Sequence, residues 1–81
     1  MDIVKEKIRQ YIIDKCMYGE GPLDDEEMLF ESGIMDSIAL IKMLSFIEKE
    51  FHIVIDMVDV TMEKFSSLNN IMQTLQAVQK A

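Results

Sequence analysis

The sequence predicts an all-α fold, a four-helix bundle of three main helices and one short one. Three observations lead there. Apolar residues recur at helical spacing in three separate stretches, and only one short segment has strand character, with nothing to pair with it. The breaks between the stretches fall at glycine, proline or capping residues. Eighty-one residues, 49% hydrophobic and 28% charged, suit a single soluble domain over 1–81. A core of that size supports stability toward the low end of roughly 5–15 kcal/mol and leaves little room for a deep cleft.

The first helix is expected from Asp2 to about Met17, where Val4, Ile8, Tyr11, Ile12 and Cys16 form one buried stripe with charges opposite. "YGEGP" stops it, since two glycines and the only proline cannot continue a helix. A long connection follows from Leu23 to Asp36, with Leu29, Phe30 and Ile34 apolar enough to pin it onto a core. Connections of this length in small domains are often functional. Ile38 to Phe51 is the second helix, with Leu40, Met43, Leu44, Ile47 and Phe51 on one face and Lys42, Glu48 and Lys49 facing away. Ile38, Ile41 and Phe46 widen its apolar surface beyond one packed stripe. "FHIVI" is β-branched and aromatic but has no partner strand, so it reads as an extended connection. "DMVDVTMEKF" predicts the short third helix, started near Asp56 or Asp59. Ser66 or Ser67 caps the last helix, which carries Leu68, Ile71, Met72, Leu75 and Val78 on one stripe.

A formal net charge of −7 argues against a nucleic-acid partner and favours partners that present lysine and arginine. The acids cluster: Glu20, Asp24, Asp25, Glu26, Glu27 and Glu31 run without an intervening base, whereas the first helix is slightly basic through Lys5, Lys7, Arg9 and Lys15. No apolar run approaches a membrane span, so no membrane insertion is expected. Met1-Asp2 lacks the basic-then-apolar start of a secretory signal, which makes the cytoplasm the expected location; a monomer is the default expectation for the oligomeric state, which the sequence leaves open.

Enzyme chemistry finds no footing in these residues. His52, the only histidine, has no serine or cysteine at a spacing that suggests a partner, and reads as structural or surface. The single Cys16 can form no internal disulfide and reads as a small core residue. "DDEEMLFE" lacks the alternating ligands and central glycine of a calcium-binding hand, so no metal is expected. Eight methionines could furnish an adaptable binding surface, with core filling the reading for most of them.

Ser37 stands apart. Asp-Ser ahead of an apolar helix is a capping pattern, in which Asp36 accepts backbone N–H bonds and Ser37 opens the first turn. The pair also follows a long glycine-containing loop, and a helix N-terminus offers unpaired N–H groups and partial positive charge that favour a phosphate. Ile38 and Ile41 beside it give an acyl chain or a partner somewhere apolar to rest.

The run "LFESGIMDSIALIKMLSFIEKEFHIVI" closely resembles the acyl and peptidyl carrier proteins. Gly33, Asp36, Ser37, Ile38, Leu44, Glu48, Phe51, Ile53 and Ile55 fall where that family has its glycine, its Asp-Ser-Leu/Ile, its amphipathic helix and its Phe-x-Ile-x-Ile. The helix before and the helices after follow the family's order, so the resemblance covers nearly the whole chain and implies the acyl-carrier fold.

The resemblance implies that Ser37 carries a 4′-phosphopantetheine arm, transferred from coenzyme A by a phosphopantetheinyl transferase, with cargo held as a thioester on the arm's thiol. Cys16 is then not the loading thiol. It further implies that Asp36 helps present Ser37 to the transferase. Ile38, Ile41, Glu48 and Asp56 lie in the surface gripped by that enzyme and by acyl- or aminoacyl-loading and transfer enzymes with basic docking patches. The protein itself would not be an enzyme but a free-standing carrier in fatty-acid or specialised acyl metabolism. Two departures stand out. Lys42 occupies a position that is acidic in the typical fatty-acid carriers, with Lys49 diluting the acidic face further, and Asp56 stands where many members have proline. "LFESGIMDSI" also looks close to carriers of specialised pathways, including the aminoacyl carriers that D-alanylate cell-wall polymers. The rival reading is a small acidic helical interaction domain in which Ser37 is only a helix cap.

Overall fold

The computed structural model describes residues 2–80 and contains three α-helices, a 3₁₀ turn and, among the described residues, no strand. α1 spans Asp2–Cys16, α2 Ser37–Phe51 and α3 Leu68–Lys80, with the 3₁₀ turn at Met57–Asp59. α1 packs against both α2 and α3. One apolar cluster joins all of them, with Ile8, Ile12, Met43, Ile47, Phe65, Leu68, Ile71 and Leu75 fully buried. No helix among the described residues is long and apolar enough to cross a membrane.

α1 buries Ile8 and Ile12 as its spacing predicts, while Val4, Tyr11 and Cys16 are only half-buried. Ile13 is buried as well, because the chain folds back over it. A side chain at Gly21 would place its Cβ 3.1 Å from Ile13 Cδ1. The helix ends where the N–H groups of Met17 and Gly19 both close on the Ile13 carbonyl, at 3.1 and 2.9 Å. Tyr18 and Gly19 turn the chain at φ 55° and 78°.

The connection between α1 and α2 is stapled on both sides. Leu29 donates its N–H to the Ser66 carbonyl at 2.8 Å, Met35 to Leu29 at 3.0 Å, and Asn69 to Asp25 at 3.1 Å. Asp25 takes hydrogen bonds from Lys5 and Arg9, and Arg9 also donates to the Leu23 carbonyl. Leu29 is fully buried as expected, and Leu23 and Met35 are buried beside it, with Phe30 and Ile34 half-buried. The acids of this segment are therefore partly structural. Asp24 accepts from the Glu26 N–H, and Glu26 accepts from the Asn69 side chain.

The segment after α2 departs most from its sequence reading. Residues 52–56 are extended, as expected. The short helix expected from 56 shrinks to the three residues of the 3₁₀ turn and a separate turn over 62–65. Val58, Val60 and Thr61 are β-branched and lose χ1 freedom in a helix. Asp56 also draws the Val58 N–H into a tight cap at 3.1 Å, which favours the 3₁₀ form. Ser67 caps α3, its hydroxyl accepting the Asn70 N–H at 3.2 Å. Ser66 instead donates to the Glu63 carbonyl at 2.8 Å and accepts from the Asn70 side chain.

Candidate functional site

α2 begins at Ser37 because Asp36 caps it. Asp36 is extended (φ −122°, ψ −174°), and its Oδ1 accepts the Ala39 N–H at 2.8 Å while its carbonyl accepts the Leu40 N–H at 3.0 Å. The N–H groups of Ser37 and Ile38, first in the helix, are left without intrahelical acceptors. Gly33, at φ 81°, closes the preceding turn by donating to the Phe30 carbonyl, and Met35 is buried just before the cap. The approach to Ser37 is thus anchored on both sides of a residue that is itself exposed.

This is the capping arrangement expected of Asp36-Ser37, with Asp36 accepting the backbone N–H and Ser37 opening the first turn. Were Ser37 merely the cap, its hydroxyl would accept a backbone N–H two or three residues on; Asp36 holds that role instead. The Ser37 hydroxyl lies outside the capping arrangement. It stands in solvent at the positive end of a 15-residue helix dipole, a setting that suits a phosphodiester.

Around it, Ile38 and Ile41 are 65% and 61% exposed, large apolar side chains with no intramolecular use. Phe46, the third residue thought to widen the apolar face, is differently placed: it stacks on Tyr11 at 4.4 Å between ring centroids and meets Phe51 edge-on. Glu48 is exposed but not idle, for its Oε2 accepts the Ile55 N–H at 3.1 Å and holds the 52–56 segment against α2. Asp56 is likewise exposed and caps the 3₁₀ turn. It supplies by hydrogen bond a restraint that proline would supply by its ring.

Cys16 is half-buried, and its thiol is pushed up by burial and then by the nearby Asp36 carboxylate. A thiol held protonated in this way is a poor nucleophile. No cluster of His, Cys, Asp and Glu that could hold a metal ion occurs among the described residues.

The family model for a phosphopantetheine attachment site matches residues 6–75, most of the chain and all of the elements that build this site. The chain belongs to that family. It is a carrier: the family's domains bear covalent 4′-phosphopantetheine and are not themselves catalysts. A search of curated proteins finds no match to the chain. The α2 N-terminus fits the group, offering an exposed hydroxyl released from capping, two unpaired N–H donors and a favourable dipole. As a carrier, the chain interacts with phosphopantetheinyl transferases and acyl-processing enzymes in general.

The sequence alone did not reveal the apolar side chains beyond α2. Val54, Met57, Val58 and Met62 are exposed along the 54–62 segment, and Met28 is exposed on the loop facing it. Met28, Phe30 and Met62 line a shallow cleft there. The surplus of methionine was the available signal, but core filling was the reading for most of them; Met35, Met43 and Met72 are buried, whereas Met28, Met57 and Met62 are not.

Proposed function

We propose that Ser37 is the residue that bears the arm, and that the protein shuttles acyl or aminoacyl groups as thioesters between separate enzymes. The observation that carries this reading is the division of labour at the α2 N-terminus: Asp36 caps the helix and leaves an exposed serine hydroxyl at its first position. In the transfer from coenzyme A, the Ser37 oxygen attacks the pyrophosphate phosphorus next to pantetheine. The new phosphodiester forms as the bond to 3′,5′-ADP breaks, and the serine proton goes to a base of the transferase. Once bound, the arm supplies the thiol on which cargo is carried. The chain's own part is to hold the hydroxyl forward, to lend N–H groups to the phosphodiester, and to keep Cys16 unreactive. Asp36 presents the serine by fixing the helix start. Ile38 and Ile41 give the transferase and the loading enzymes an apolar grip, with Glu48 and Asp56 at its edge.

Holding cargo on a tether raises its local concentration for each enzyme in turn, and charge-guided contacts with an apolar centre are fast to form and fast to release. Fragmentation of a peptide spanning Glu31 to Lys49 from the modified protein, which contains Ser32, Ser37 and Ser45, tests the assignment. The phosphopantetheine mass is expected on Ser37; finding it on Ser32 or Ser45 would overturn the reading.

A further inference from the structure

α2 presents two charge faces that do not match the chain as a whole. At 100° per residue, Ile38, Lys42, Ser45 and Lys49 fall on one stripe, opposite the buried Leu40, Met43, Leu44 and Ile47. All four of the stripe residues are exposed. The acids of α2 are engaged elsewhere: Glu48 accepts the Ile55 N–H at 3.1 Å, and Glu50 pairs with Lys7 of α1 at 3.1 Å. Lys42 and Lys49 form no ion pair among the described residues, although the chain carries a net charge of −7. The helix that begins at Ser37 therefore exposes two cations about 10 Å apart along its axis, next to the apolar side chains of Ile38 and Ile41.

We propose that this stripe docks a partner enzyme through a negatively charged surface, one that offers carboxylates to Lys42 and Lys49 around an apolar recess for Ile38 and Ile41. The partner's carboxylates face α2, and its basic groups are confined to the side that meets Asp56 and Glu63. This proposal rests on the carrier reading and specifies the chemistry of the enzymes that a carrier of this sequence serves.

The test uses protein already modified at Ser37, so a negative result bears on the docking face and not on the arm. The probe is a synthetic amphipathic peptide of about 15 residues, long enough for partial helix formation. It carries a leucine stripe flanked by glutamates seven residues apart. A twin peptide has lysines in their place. Amide chemical shifts followed by NMR are expected to move at Ile38, Ile41, Lys42, Ser45 and Lys49 with the glutamate peptide. The effect should fade as salt rises from about 0.05 to 0.5 M. Lys42→Glu with Lys49→Glu should weaken binding of the glutamate peptide by about tenfold and let the lysine peptide bind in its place. Both positions are exposed, and unchanged shifts in the core will show that the fold persists. The proposal is overturned if the glutamate peptide moves no α2 resonances, if the lysine peptide binds this stripe of the unaltered protein as well or better, or if the double substitution changes nothing.

Discussion

At Asp36 and Ser37, adjacent side chains have separable duties, and substitution tells them apart. Asp36→Ala removes the acceptor of the Ala39 N–H and should cost about 1 kcal/mol in urea denaturation. Ser37→Ala should change stability by less than about 0.5 kcal/mol, since an exposed first-turn position away from the cap tolerates alanine. A loss at Ser37 as large as that at Asp36 would restore the serine as a structural cap. Asp25 supplies a pH-dependent counterpart. Hydrogen bonds from Lys5 and then Arg9 hold its carboxyl below the ordinary carboxylate range. A folded-state value below the unfolded one means that the stabilisation is complete above the unfolded pKa of about 4 and is lost as pH falls through the folded value. Asp25→Asn should therefore lower the urea midpoint at pH 7 and flatten its decline below about pH 4. An unaltered acid limb would mean that the links to Lys5 and Arg9 contribute nothing in solution.

Among the elements, the three α-helices were legible because each repeats its apolar residues through several turns, and α2 starts and stops within one residue of its expected bounds. The Met57–Asp59 turn was not. Asp56 marks its start, but a capping residue cannot fix how far a helix extends through Val58, Val60 and Thr61. Ile13 and Met35 escaped notice for a different reason: their burial depends on loop segments that fold over them, and periodicity along a helix carries no information about those. The end of α2 offers a test of local backbone chemistry. His52 closes the helix in the left-handed conformation (φ 55°, ψ 43°), where a Cβ is unfavourable. His52→Gly should raise stability by about 0.5–1 kcal/mol, after allowance for the greater freedom of glycine in the unfolded chain. A destabilised variant would show that the imidazole makes a contact outweighing the strain.

Across the whole molecule, the core converges on Phe65, fully buried in the turn that leads into α3 and next to Ser66, whose carbonyl anchors the loop at Leu29. Its importance was invisible in the sequence because it lies outside any periodic stripe. Phe65→Ala should cost about 3–5 kcal/mol, much of what so small a domain has, and thermal melting by circular dichroism would register it as a large fall in midpoint. The candidate site was more legible than the core beneath it. Asp36, Ser37 and the exposed Ile38 and Ile41 follow one another in the chain, whereas the bonds of Glu48 to Ile55 and of Asn69 to Asp25 join residues that only folding brings together. The proposal that Ser37 bears the arm is tested most directly by intact-protein mass before and after incubation with coenzyme A, magnesium and a broad-specificity phosphopantetheinyl transferase, with Ser37→Ala alongside. A gain of one phosphopantetheine unit is expected in the unaltered protein alone, or an equivalent mass already present on purification. No gain in folded protein, or an equal gain in Ser37→Ala, would contradict the assignment of Ser37 as the attachment residue.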